Sequence, residues 1–133
     1  MNTKEIKKMI YSFLKTVTSN VYNEQAPAKV AYPYVIYNLE LSDTMPDQKF
    51  EVHDLVIEIY GNDQFDSTSI DLIASNIDGD GAITNATGLH RKHYYVANTL
   101  QCDIYRESRD KIYENDGNIR VLELTYNVNA YLY

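Results

Sequence analysis

From Asn118 to Leu132 the chain alternates almost without fault. Leu122, Leu124, Tyr126, Val128, Ala130 and Leu132 fall on one side of an extended backbone, and Glu123, Thr125, Asn127, Asn129 and Tyr131 on the other. Successive side chains of a strand point to opposite faces. The pattern therefore demands a sheet with one dry face and one face that is wet or meets a partner. The same alternation recurs earlier. In the strand expected from Phe50 to Tyr60, Leu55, Ile57 and Ile59 oppose Val56, Glu58 and Tyr60.

A third strand is marked by proline. The run Val30-Ala31-Tyr32-Pro33-Tyr34-Val35-Ile36-Tyr37-Asn38-Leu39 is dense in β-branched and aromatic residues. Proline donates no backbone hydrogen bond and sits at a strand's first residue, on an edge or in a bulge. A strand from about Tyr34 to Glu40, entered at Pro33, follows. Leu41 to Gln48 is turn-rich, so these two strands form an antiparallel hairpin with a long projecting loop. A fourth strand is expected from Thr99 to Arg106. Ser108 to Gly117 is charged and reads as a turn.

Two segments have helical spacing. Ile6, Met9, Ile10, Phe13, Leu14 and Val17 recur at steps of three and four, predicting a helix from Thr3 to Thr18 with Lys4, Lys7, Lys8 and Lys15 off its apolar stripe. Ile70, Ile73, Ala74 and Ile77 predict a second helix from Ser67 to Ile77, capped by Asp66 or Ser67. The expected order is helix, strand, strand, helix, strand, strand. This is an α+β fold, with an antiparallel or mixed sheet of about four strands packed by two helices. With 133 residues, the whole of 1–133 reads as one domain.

Charge narrows the function. The net charge is −7, with 19 acidic residues against 12 Lys and Arg. A protein that grips nucleic acid clusters its cations to displace counterions, so this balance argues against such a role. Cys102 is the only cysteine, so no disulfide forms within the chain. No signal peptide is visible and no apolar run approaches a membrane span.

Asn76-Ile77-Asp78-Gly79-Asp80-Gly81-Ala82-Ile83 matches the first eight positions of an EF-hand loop, with oxygen ligands at one, three and five and glycine at six. Position twelve is Thr87, where calcium needs a bidentate glutamate, so Asn76, Asp78 and Asp80 read first as a helix end followed by an acidic turn. His90 and His93 flank Arg91-Lys92 with no cysteine or suitably placed glutamate to complete a metal site. No nucleophile elbow, phosphate-binding glycine loop or H-E-x-x-H is present. Cys102, within a strand, reads as a buried and inert thiol. The sequence nominates no catalytic residues and no cofactor.

The order of elements and the strand Tyr32-Pro33-Tyr34-Val35-Ile36-Tyr37-Asn38, preceded by a small helix and a loop bearing Ala26-Pro27-Ala28, resemble the tail terminator proteins of long-tailed bacteriophages. These are also called tail completion or tail-to-head joining proteins. The similarity extends to Leu55–Tyr60, the helix opening near Asp66 and the closing strand Leu122–Leu132. The loop Asn76–Ile83 and the stretch Ser108–Gly117 have no counterpart in the family pattern.

The resemblance implies a non-enzymatic virion subunit, assembled in the host cytoplasm, that forms a hexameric ring at the tail or neck. The ring would end the tail tube, contact the tube protein, join a head-completion or connector protein, and let DNA transit its lumen without specific binding. Another neck component of the same ring-forming kind is the nearest alternative, and a calcium-binding interaction module a more remote one. The candidate partner contacts are Met45, Pro46, Asp47 and Lys49 in the projecting loop, with Arg106, Arg109 and Tyr131. The long closing strand is expected to offer a free edge to a neighbour.

Overall fold

The computed structural model describes residues 3–27, 33–45, 50–62, 67–82, 84, 86–97, 100–113 and 119–131. Its elements are α1 (Thr3–Val17), β1 (Val21–Asn23), β2 (Tyr34–Met45), β3 (Phe50–Asn62), α2 (Ser67–Asp78), β4 (Lys92–Val96), β5 (Leu100–Tyr113) and β6 (Ile119–Tyr131). The strands form one six-stranded sheet in the order β1-β2-β3-β6-β5-β4, and both helices pack on the same face. The architecture is α+β in two layers. The sheet is mixed: β1 runs parallel to β2, and every other pairing is antiparallel.

The alternation seen in the sequence sorts residues between the two faces. In register across β2, β3 and β6, Val35, Ile59 and Leu122 form one row, Tyr37, Ile57 and Leu124 the next, and Leu39, Leu55 and Tyr126 a third. All nine are buried. Ile6, Ile10 and Leu14 of α1 and Ile70, Ala74 and Ile77 of α2 close over them, so the core lies between helices and sheet. Burying a Leu or Ile side chain stabilises by about 1.5–3 kcal/mol, so these rows hold the domain together. Cys102 joins this core beside Ala130, fully buried, and burial first, then the Asp103 carboxylate, pushes its thiol up to about 12.

Three expectations are corrected. The sheet has six strands, because β1 and β4 escape the sequence pattern. β1 is three residues long and is defined by backbone pairing of Val21, Tyr22 and Asn23 with Val35, Ile36 and Tyr37. In β4, five residues with two adjacent tyrosines give little alternation. The stretches read as turns are largely strand. β2 continues to Met45, which pairs with Phe50, and β5 continues to Tyr113, which pairs with Arg120. Each extension lies beyond a register shift, at Leu41/Asp43 and at Arg106/Ser108, where an extra residue reverses the side-chain alternation. Finally, β6 offers no free edge, being an interior strand paired along its length with β3 and β5. The outer strands are the two short ones: β1 pairs with only Val35, Ile36 and Tyr37 of β2, and β4 with only Leu100–Ile104 of β5.

Candidate functional site

The face of the sheet that carries no helix differs in kind from the core face. Three pairs of carboxylates stand directly opposite one another there: Glu40 with Asp54, Glu58 with Glu123, and Glu123 with Asp110. Asp103 adds a sixth acid, and no Lys or Arg lies on this face among the described residues. Like charges directly opposite across a ladder destabilise it. Glu123 shows the strain: burial first, then Glu58 and Asp110, raise its carboxyl above the usual range.

Tyrosines share the face with Ile36, Val52, Val56, Val121, Thr125 and the amides of Asn38, Asn127 and Asn129. The rings of Tyr34 and Tyr60 stack at 4.8 Å and 7°, and Tyr22 meets Tyr34 edge-on at 6.5 Å. Tyr60 donates a hydrogen bond to Glu58 at 3.0 Å, and Tyr131 donates one to Asp103 at 3.2 Å. Tyr95, Tyr105 and Tyr131 are exposed. Asp103 also meets His93 Nδ1 at 2.5 Å.

On the other side of the sheet, the outer side of α1 is basic. Lys4, Lys8, Tyr11 and Lys15 follow one another at helical steps of four, three and four on the outside of α1, and all four are exposed. Lys7 lies beside them. The ion pairs nearby, Lys8 with Glu5 and Lys7 with Glu24, are both 3.9 Å long, a separation worth little at an exposed site. Between α1 and β4 runs an open groove of about 440 Å³ with Met9, Phe13, Leu89, Tyr94 and Val96 in its walls. Glu5, Lys8, Ser12, Thr16 and Lys92 line it as well.

The acidic loop after α2 is built for structure. Asp78 accepts hydrogen bonds from the Tyr126 hydroxyl at 2.9 Å and from the Arg106 guanidinium at 2.5 Å, tying the end of α2 to β6 and β5. Burial, then Asp78, drives the Tyr126 phenol far above its ordinary value. Asp80 turns away, accepting from the backbone N–H groups of Ala82 and Thr87, which hold its carboxyl below the usual range. Asn76 is exposed on the helix. Asp78 and Asp80 thus serve different partners instead of converging on a calcium ion. No group of three or more metal-ligating side chains forms among the described residues. Gly79, at φ +77°, and Gly88 pack back to back, and a Cβ on Gly79 would lie 2.1 Å from the Gly88 nitrogen. That close approach lets Leu89 and His90 donate to the helix-end carbonyls of Ile77 and Asp78.

Of the residues expected to meet partners, Met45 and Tyr131 come to the same end of the sheet, in one register row through Phe50. Pro46, Asp47 and Lys49 lie outside the described residues. Arg106 and Arg109 sit elsewhere, each reaching back to α2: Arg106 to Asp78 and Arg109 to Asp71 at 3.4 Å. At the end of the sheet that holds Met45, Glu51 and His53 are buried on the helix-covered side, with 3.6 Å between Oε1 and Nε2. Burial is the main cause that lowers the His53 pKa, against the Glu51 carboxylate. The facing carboxylates are the feature sequence reading missed, since each pair appears only once the register of two strands is known.

No known protein family matches the chain, and no curated protein matches it. Among solved structures, the chain resembles one from the virion of a native gene transfer agent particle. The identity is 16%, the TM-score 0.66, and the match covers 92% of this chain and 91% of the other. At that identity the likeness is one of fold.

Proposed function

We propose that this chain is a structural subunit of a phage-like virion, of the tail terminator class. It forms a hexameric ring that ends the tail tube, contacts the tube protein and a head-completion or connector protein, and lets DNA pass through its lumen. The observation that carries this reading is the fold shared, nearly end to end, with a chain of a gene transfer agent virion. The proline-marked strand β2 and the order of long elements agree with it. The acidic balance suits a ring through which phosphate slides without sticking.

Native mass measurement on the protein, alone and with purified tail tubes, tests the reading. The expected result is a hexamer in solution, or a monomer that forms hexamers at tube ends, since such subunits can assemble on a template. A protein that stays monomeric and never co-sediments with tubes would sink it. Rings that bind a connector and ignore tubes would instead identify another neck component.

A further inference from the structure

We propose that copies of this chain meet head to tail, with the lysine stripe of α1 on one copy seated on the helix-free sheet face of the next. The contact rests on the ring reading and specifies how its subunits touch. Three observations carry it. First, the outer side of α1 and the bare sheet face are opposite in charge: α1 holds four lysines against one glutamate, while the bare sheet face holds six acids and no Lys or Arg among the described residues. Each surface complements the other on a second copy.

Second, the facing pairs Glu40/Asp54, Glu58/Glu123 and Glu123/Asp110 repel within the isolated subunit. Ammonium groups laid over them relieve that repulsion, so the cost carried by one copy becomes a gain on assembly. Third, the face is rich in tyrosine, a residue enriched at protein contacts because a large ring ends in a polar tip. Exposed rings beside carboxylates accept both the stems and the charged heads of lysine. A contact between two different surfaces is heterologous, and it closes into a ring when its rotation closes.

The test is a charge swap. One variant carries Lys4→Glu, Lys8→Glu and Lys15→Glu; the other carries Glu40→Lys, Asp54→Lys and Asp110→Lys. Each is expected to melt cooperatively and to lose the parent's assembly, in solution or on tail tubes. Mixed in equal amounts, they are expected to recover it as an alternating ring, because every contact in that ring pairs opposite charges again. Native mass spectra should then show equal numbers of the two chains. The single changes Lys8→Glu and Glu40→Lys repeat the test should a triple variant misfold.

The contact is overturned if either folded variant assembles like the parent, or if the mixture stays monomeric. It is also overturned if reversing the sheet face removes tube binding but leaves rings intact, since the face then belongs to the tube protein. A parent that never assembles defeats the ring reading itself. A parent that assembles and ignores the reversals defeats this contact alone.

Discussion

The two faces of the sheet are made by the same strands and differ in almost everything else. On the side under the helices, the rows through β2, β3 and β6 are aliphatic or aromatic and buried. One residue along each strand, the chain places carboxylates, amides and tyrosine rings, with Ile36 and Val121 the buried apolar exceptions. The first face has its partner within the chain. The second is arranged against the stability of the free subunit, with acids facing acids. That cost is what the proposed contact between copies would relieve.

The contrast breaks first at the core. Leu124→Ala is expected to cost about 2–5 kcal/mol, through lost burial and the cavity left behind. Its neighbour on the other face, Thr125→Ala, should stay within about 0.5 kcal/mol. Chemical denaturation measures both, and equal effects would erase the distinction between the faces. Asp78→Ala comes next, at about 2–4 kcal/mol, because it strips the buried Tyr126 hydroxyl and the Arg106 guanidinium of their shared acceptor. A loss below about 0.5 kcal/mol would mean the loop after α2 stands without this link.

A smaller effect concerns His53. Its folded pKa lies below that of the unfolded chain. Between the two values the unfolded state binds more protons, so stability falls as pH drops below about 6.5 and levels off once the folded pKa is passed. The slope is at most about 1.4 kcal/mol per pH unit. Melting curves from pH 7.5 to about 4.5 should show the decline, and His53→Leu should flatten it.

The smallest effect has the opposite sign. Glu123 has a raised folded pKa, so its charged form costs stability above that value, and the cost disappears as pH falls through the unfolded value. Glu123→Gln should therefore stabilise the free subunit at neutral pH by about 0.2–1 kcal/mol, with no gain in acid. A destabilised Glu123→Gln protein would remove the argument that this face carries uncompensated charge.

How much of this was legible in the sequence follows from periodicity. Where one pattern runs unbroken, as in β3, β6 and both helices, the segments and their buried faces could be read directly. β5 was lost past Arg106 because the register shift at Arg106/Ser108 moves the helix-covered positions from Ile104 and Arg106 to Arg109. A regular strand then looks like a charged turn. The three residues of β1 are too few to carry any pattern. The interior place of β6 was hidden too, since alternation tells which faces are wet and dry but is silent about the edges. Arg106 and Arg109 looked like surface cations, and nothing local to them announces Asp78 and Asp71 on a helix 28 and 38 residues away.

Cys102 gives the dry side of the sheet a built-in clock. The thiolate is the reactive form of cysteine, and here the sulfur is fully buried with its ionisation pushed up to about 12. A thiol reagent can therefore act only in the moments when strands or helices part. Its labelling rate counts those openings without any engineered cysteine, and reports the free energy of local opening around β5. The same rate, followed as subunits come together, would tell whether joining neighbours on one side of the sheet quietens the other.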